Sequence, residues 1–273
     1  MCGRYVLVQK VEILERRFNV TVPSDFDFQP SYNISPGKFA PVITCENPRE
    51  LQLFQFGMSP FWAKKKMYLF NARAEGDRNK DNNPQFTGAK DIINKPAFRK
   101  PIRSQRCLVL ADAFIEGTTN EGLSKSFLVY LQNKERPFAF AGIYDNWVDE
   151  STGEVCNSFA IITTVANELM QKIPHNRSPI ILSKSAERRW LNPKAHLSEI
   201  TNLLHPYPSH LMNAYPISDE IKNPKSDGRN LIIQKGLKLQ PEIQIKTYKE
   251  LKLEGMGNRN KNTIENRHPD IED

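Results

Sequence analysis

An α+β fold built on antiparallel sheet is the architecture that this 273-residue sequence predicts. Short apolar runs bounded by polar or turn residues outnumber the segments with helical periodicity, and the two kinds do not alternate regularly. Neither of the common glycine-rich phosphate-binding motifs occurs, which argues against a doubly wound parallel sheet. Together these observations favour a sheet whose strands pair mainly in antiparallel fashion.

The spacing of apolar side chains predicts the individual elements. Apolar runs of strand length lie at residues 40–44, 51–56, 107–111, 127–131, 138–141 and 159–164. Helical spacing of apolar residues predicts helices at 10–18, 167–172 and 195–204. The alternation in 51–56 slips once, so we expect a β-bulge in that strand.

Two polar segments set the predicted domain organisation. Residues 76–94 are rich in Asn, Lys and Gly, and we expect a long exposed loop there. We expect residues 2–245 to form a single domain. Residues 246–273 are charged and poor in large apolar side chains, which predicts a flexible tail.

Composition limits the functional classes. Thirty-eight Lys and Arg against 31 Asp and Glu give a net charge of +7, which favours a polyanionic partner, although good solubility alone would explain it as well. No apolar run approaches the ~20 residues of a membrane helix, and the start lacks the features of a signal peptide. We therefore expect a soluble, cytoplasmic protein, and most simply a monomer.

Three of the four cysteines lie in the interior of the sequence, and the fourth follows Met1. Cys45, Cys107 and Cys156 stand in apolar, strand-like surroundings and are expected to be small buried side chains. None of the four has metal-ligand spacing to another cysteine or to histidine, so no metal is expected, and nothing suggests an organic cofactor. Cys2 differs because of its position next to Met1.

Removal of Met1 would make Cys2 an N-terminal residue with amine and thiol on adjacent carbons. Its α-amine, with a reference pKa of about 7.7–8.0, is partly neutral near pH 7. The amine can form an imine with an aldehyde, and the thiol can then add to the same carbon to close a thiazolidine ring. An incidental cysteine after Met1 is the alternative, and its position alone does not decide between them.

Three further clusters carry candidate functional residues. Asn71 and Arg73 follow an aromatic and basic stretch in which Trp62 offers a stacking face for an unpaired base, while arginine can bind phosphate bidentately. Glu116 ends an apolar run, which suits a partly desolvated general acid. His175 lies between two prolines and can shuttle protons. Each also has a structural interpretation: a surface salt-bridge network beside a buried Trp62, a strand-end carboxylate, and a loop histidine bonded to backbone.

Taken together, these clusters resemble one family. The ordered motifs are residues 1–5 (MCGRY), 32–36 (YNISP), 71–75 (NARAE), 106–108 (RCL), 111–116 (ADAFIE) and 175–179 (HNRSP). Their order is similar to that of the SRAP proteins, named for SOS response-associated peptidase, over about residues 2–235. The resemblance implies a single α+β domain with a barrel-like, mainly antiparallel sheet, surrounding helices and a positively charged groove.

The same resemblance implies a function in the DNA damage response and association with the nucleoid when the protein is bound to DNA. SRAP proteins bind single-stranded DNA and shield abasic sites through a thiazolidine crosslink. Carried over by position, Cys2 is the nucleophile and Asn71 orients it. Glu116 assists opening of the sugar ring, and His175 moves protons in formation and reversal. Arg4, Arg73 and Arg177 are implied to bind phosphate.

Several positions depart from the family pattern, and two other functions stay open. Ile115 and Gly117 stand where an aromatic residue and a tryptophan are usual, which questions base stacking on that side of the lesion. A thiol peptidase that removes its own Met1 is one rival function, and a non-covalent reader of modified or single-stranded DNA is the other. The imine also offers a route to strand cleavage, a lyase activity.

Overall fold

The structure, a computed structural model, describes residues 2–132 and 136–243. The strands of these residues are Arg4–Leu7 (β1), Ser31–Ile34 (β2), Phe39–Thr44 (β3), Gln52–Phe56 (β4), Asn71–Arg73 (β5), Arg106–Ala111 (β6), Ala113–Thr118 (β7), Gly122–Leu131 (β8), Phe138–Val148 (β9), Val155–Val165 (β10), Arg177–Pro179 (β11), Ile181–Leu182 (β12) and Met212–Pro216 (β13). The predicted strands are all present, and several extend beyond their predicted ends.

Helices are short and lie between the strands. The α-helices are Val11–Phe18 (α1), Pro101–Ser104 (α2), Glu168–Lys172 (α3), Lys184–Leu191 (α4) and Leu197–Asn202 (α5), with 3₁₀ helices at Asp91–Asn94, Ser209–Leu211, Asp219–Lys222 and Arg229–Ile232. The three helices expected from apolar spacing are confirmed as α1, α3 and α5. Asn167 caps α3 by accepting a hydrogen bond from the backbone N–H of Met170, as its position before an apolar turn suggests.

The strands form two sheets, one of which closes on itself. The first sheet has the strand order β13-β8-β7-β1-β2. In the second, the path β10-β4-β3-β6-β9 is closed by pairing of β9 with β10, which makes a five-stranded barrel. Only β4 and β5 pair in parallel with β10 among the described strands. The α+β class and the barrel-like, mainly antiparallel sheet are therefore confirmed.

One apolar run of the sequence serves both sheets. Residues 108–115 look continuous, but the chain turns at Asp112, so that β6 belongs to the barrel and β7 to the other sheet. The carboxylate of Asp112 accepts hydrogen bonds from the backbone N–H groups of Val8 (2.7 Å) and Gln9 (3.2 Å). This corner joins the two sheets and leads directly into the strand that carries Glu116.

The prediction of a bulge in residues 51–56 is wrong. Pairing of β4 with β3 runs from Gln52 to Gln55 without a register shift. The alternation slips because β4 contributes apolar side chains on both faces, with Leu53 on one face and Phe54 and Phe56 on the other.

A continuous apolar core fills the barrel and the space under α4. Trp190 of α4 is fully buried, and its indole N–H donates to the carbonyl oxygen of Cys107 at 3.0 Å. Cys45, Cys107 and Cys156 are buried thiols in this structure, as expected. A second apolar cluster lies between the outer face of β1, β7 and β8 and the 3₁₀ segments around Ile221 and Leu231.

The chain divides into two units, Met1–Pro241 and Glu242–Asp273. The first contains all the strands and helices given above. The predicted tail, 246–273, lies outside the described residues, so both the tail and the 2–245 boundary stay predictions. Within the described part, no helix combines the length and apolar character that crossing a membrane requires.

Candidate active site

Strand pairing brings the distant candidate motifs to one place. Cys2 lies just before β1, and β1 pairs with β7 so that Arg4 lies opposite Ile115, next to Glu116. On the other side, β10 pairs with both β5 and β11, which places Arg73 beside Thr163 and Arg177 beside Val165. The site therefore lies where the start of β1 and the end of β7, two interior strands of the first sheet, meet the barrel.

Cys2 is fully buried and in contact with Glu116. Burial raises the pKa of the Cys2 thiol well above its usual range, and the charge of Glu116 and a thiol–carboxylate hydrogen bond raise it further. The side chain of Asn71 donates from Nδ2 to the Cys2 carbonyl oxygen at 2.9 Å. The thiol is thus held protonated beside a carboxylate that can accept its proton. The predicted removal of Met1 concerns a residue outside the described range.

Glu116 and His175 form a buried pair. Glu116 Oε2 lies 3.3 Å from His175 Nε2, and the two side chains are 2% and 7% exposed. His175 Nδ1 lies 2.7 Å from the carbonyl oxygen of Gly117. Because a carbonyl only accepts, Nδ1 must carry the hydrogen, and any hydrogen between Nε2 and Oε2 is then shared by imidazole and carboxylate. The pair is built to hold or release a proton beside Cys2.

A cavity of about 540 Å³ opens beside this pair. Its wall includes Glu116, His175 and the three arginines Arg4, Arg73 and Arg177. Among the described residues, no hydrogen-bond partner exists for Arg4 Nη1, Arg73 Nε, or Arg177 Nε and Nη1, all shielded from solvent. Buried guanidinium donors without partners are costly unless an anion or other acceptor satisfies them. The arrangement suits a phosphate-bearing ligand.

Each of the three arginines is also anchored to the protein. Arg4 Nη2 donates to the carbonyl oxygen of Lys222 at 2.9 Å, and Arg73 Nη2 donates to that of Asn79. Arg177 is different, because its Nη2 lies 2.7 Å from the carboxylate of Glu75, which Thr164 also contacts. Arg177 is therefore both a wall of the cavity and half of a buried ion pair.

Trp62 is not brought into this cavity. Its side chain is 50% exposed in the turn after β4, next to the exposed Phe61 and ahead of Tyr68. Lys100 lies 4.5 Å from the centre of the Phe61 ring, so the surface here is aromatic and basic. The alternative of a buried Trp62 does not hold, and its assignment to DNA binding stays a prediction.

Some residues of the site were not predicted from the sequence. Thr118, Thr119 and Leu123 line the cavity from the β7–β8 hairpin, and Asn82 lines it from the segment expected to be a plain exposed loop. The three asparagines in residues 79–83 are a sequence signal that could have indicated a structured turn, although our prediction there is an exposed loop.

The structure explains why glycine stands at position 117 and asparagine at position 33. At Gly117, a Cβ atom would overlap the backbone of Gly122, so the close approach of the two hairpin strands requires glycine there. Asn33, from the YNISP motif, donates to carbonyl oxygens of the outer layer, such as that of Ser226 at 2.9 Å. It therefore holds that layer in place and does not line the cavity.

The donor set does not suggest a metal centre. Within residues 2–132 and 136–243, no group of three or more His, Cys, Asp or Glu side chains is arranged to hold a metal ion. The chemistry that these residues offer is that of a thiol, a carboxylate, an imidazole and guanidinium groups.

Comparison with known proteins identifies the family. The family model described as SOS response associated peptidase (SRAP) matches residues 1–224. The chain is 33% identical over 239 residues to the abasic site processing protein YoqW of Bacillus subtilis, covering 85% of this chain and 99% of that protein. It is 26% identical over 229 residues to the abasic site processing protein HMCES of Xenopus tropicalis, covering 73% of this chain and 64% of that protein.

A solved structure shares this fold. The crystal structure of a protein from Bacteroides thetaiotaomicron superposes with a TM-score of 0.70 at 29% identity, covering 85% of this chain and 99% of that one. The barrel and its adjoining sheet define the fold class, and the family model that matches residues 1–224 defines the family. This chain belongs to the SRAP family.

Proposed function

We propose that this protein links Cys2 covalently to the aldehyde of an abasic site in single-stranded DNA. The observation that carries the proposal is the Cys2 thiol, hydrogen-bonded to Glu116 beside a cavity that three arginines line. The names of relatives such as YoqW, which describe abasic site processing, support the same substrate.

The first step exposes the aldehyde. An abasic sugar exists mostly as a closed hemiacetal, and protonation of its ring oxygen as the ring C–O bond breaks opens it. Glu116 supplies that proton. Its Oε2 lies 3.3 Å from His175 Nε2, so a hydrogen can lie between the two side chains. The hydroxyl proton of the hemiacetal passes to solvent as the carbonyl forms, so the sugar gains no net proton and Glu116 is left as a carboxylate.

The second step forms the link. After Met1 is removed, the neutral amine of Cys2 condenses with the aldehyde, an imine forms and water leaves. The thiol then adds to the imine carbon, the sulfur–carbon bond closes the thiazolidine, and the thiol proton passes to the imine nitrogen. Glu116 is placed to carry this proton because it already contacts the thiol. A base is needed here since the raised pKa keeps the thiol protonated.

The remaining residues position Cys2 and the strand. Asn71 holds the backbone carbonyl of Cys2, which fixes the reacting residue in place. Arg4, Arg73 and Arg177 offer guanidinium donors to the phosphates on either side of the lesion. Trp62 supports an unpaired base on the aromatic and basic surface outside the cavity.

Replacement of Cys2 tests the proposal. Mixing the chain with an oligonucleotide that carries one abasic site should give an adduct that survives denaturation. Cys2→Ala should abolish that adduct and leave salt-sensitive DNA binding intact, while Cys2→Ser should give no durable link. Cys156→Ala, which also removes a buried thiol, is the matched control and should crosslink normally.

Two further measurements separate the rival functions. Intact mass shows whether Met1 has been removed, and a thiol peptidase would hydrolyse added peptides in a Cys2-dependent manner. A non-covalent reader would bind the oligonucleotide but give no adduct with the unsubstituted chain. Normal crosslinking by Cys2→Ala would end the thiazolidine proposal.

A further inference from the structure

The segment after β5 brings a turn to the edge of the reactive cavity. Asn82 lines the cavity that contains Glu116 and Arg73. Two residues later, Pro84 lines an adjoining cavity of about 520 Å³. Both cavities share His175, so the turn at residues 79–83 stands at the junction between them.

Internal hydrogen bonds build this turn. Asn79 is only 4% exposed. Its Oδ1 accepts from the backbone N–H of Asn83 at 2.8 Å, and its Nδ2 donates to the Asn83 carbonyl oxygen at 3.0 Å. The carbonyl oxygen of Asn79 accepts a hydrogen bond from Arg73. The position of the turn is therefore tied to an arginine of the cavity wall.

The amide of Asn82 has unused hydrogen-bonding capacity. In the described residues its Oδ1 is shielded from solvent and has no hydrogen-bond partner. Its Nδ2 donates to the carbonyl oxygen of Lys80 at a long 3.4 Å. The backbone of Asn82 has a φ of 56°, in the left-handed region that asparagine tolerates better than most residues, and this directs the turn. An unsatisfied amide in a cavity wall is suited to a ligand that offers both a donor and an acceptor.

Adenine is the nucleobase that fits an asparagine amide. The amide oxygen accepts from the N6 amino group while the amide nitrogen donates to N7, which gives a bidentate pair. The abasic nucleotide at Cys2 has no base of its own. Asn82 can therefore meet only the base of a neighbouring nucleotide.

We propose that residues 79–83 form a base-reading turn, in which Asn82 recognises an adenine adjoining the abasic site. Asn79 acts as a positioning residue, because it closes the turn and holds Arg73 through its carbonyl oxygen. The inference rests on the proposed function and adds to it a preference for the sequence around the lesion. Phosphate contacts carry no such preference.

Oligonucleotides that differ only next to the lesion test this inference. Each base in turn is placed on the 5′ side and on the 3′ side of a single abasic site, and both binding affinity and single-turnover crosslinking are measured. The unsubstituted chain should favour adenine on one side by about fivefold or more, the lower range of a bidentate base contact. A neighbouring 7-deazaadenine, which lacks the N7 acceptor, should lose most of that advantage.

Variants of the turn complete the test. Asn82→Ala should bring adenine down to the level of the other bases and leave those other bases unchanged. Lys80→Ala, an exposed position in the same turn, is the control and should keep the preference. Asn79→Ala should weaken binding to all sequences through Arg73 and reduce the preference for adenine.

The outcomes separate this inference from the proposed function. Equal affinity and rate for all four neighbouring bases, or a preference that survives Asn82→Ala, would overturn the base-reading turn while the Cys2 adduct still forms. If no Cys2-dependent adduct forms with any oligonucleotide, the proposed function fails. The binding measurements then still decide whether Asn82 reads adenine.

Discussion

Two buried carboxylates, Glu75 and Glu116, lie close to the same cavity but contact different kinds of side chain. Glu75 contacts Arg177 at 2.7 Å and the hydroxyl group of Thr164 at 2.7 Å. Burial alone would raise the pKa of Glu75, but the charge and hydrogen bonds of Arg177, with that of Thr164, outweigh burial and lower it. Glu116 contacts a thiol and an imidazole, neither of which carries a permanent charge. A permanently charged partner favours a structural pair, whereas partners that can exchange a proton suit the proton transfer that we propose for Glu116.

Glu116→Gln should produce the largest effect on activity. Gln cannot donate a carboxylic proton, so adduct formation on a natural abasic site should slow by about 10²–10⁴. A substrate whose aldehyde is already open should be affected much less. Single-turnover crosslinking with both substrates measures this difference, and thermal unfolding should show that the variant remains folded. Equal slowing on both substrates would mean that Glu116 positions Cys2 or DNA instead of opening the sugar.

Glu75→Gln should act mainly on stability. It leaves Arg177 buried without its counter-charge, and breaking one side of a buried pair costs about 3–5 kcal/mol. Urea unfolding measures this loss directly. The double variant Glu75→Gln with Arg177→Met is the control and should recover much of the stability, since it leaves no buried charge. An unchanged unfolding midpoint in Glu75→Gln would remove the distinction between the two carboxylates.

Acid should destabilise the protein partly through Glu75. Its pKa is lower in the folded state than in the unfolded chain, so its contribution is fully present above the unfolded value of about 4.3. That contribution is lost as pH falls through the lower, folded-state pKa. Urea unfolding from pH 7 to pH 3 should therefore show a steeper acid loss in the unsubstituted chain than in Glu75→Gln. Parallel curves would contradict this assignment.

Arg73 and Arg177 both line the cavity but have different partners. Arg73 donates a hydrogen bond to the neutral backbone carbonyl of Asn79, whereas Arg177 pairs with the carboxylate of Glu75. Arg73→Glu should weaken binding to all single-stranded sequences alike, with little loss of stability. The dependence of log affinity on log salt should become shallower by about one unit or less. Arg16→Glu, on α1 and outside the cavity wall, is a matched charge change and should leave the slope unaltered. Loss confined to particular sequences would show that Arg73 contacts bases.

Much of the fold and part of the site could be predicted from the sequence. Apolar spacing sufficed for the α+β class and for α1, α3 and α5, because local burial patterns reflect local geometry. Residue type and setting made Cys2, Asn71, Glu116 and His175 candidates, and the ordered motifs of the family resemblance singled them out. The structure brings the four together. Their chemical roles remain proposals.

Other features depend on contacts between residues far apart in the chain. The division of the apolar run at Asp112, the closure of the barrel by β9 and β10, and the pairing of Glu75 with Arg177 join segments that no local pattern relates. The exposed position of Trp62 and the place of Asn82 in the cavity wall have the same origin. By itself the sequence determined which residues carry a thiol, a carboxylate or an amide. Only the tertiary structure decided which of them are buried together, because desolvation and hydrogen-bond partners are set by long-range packing.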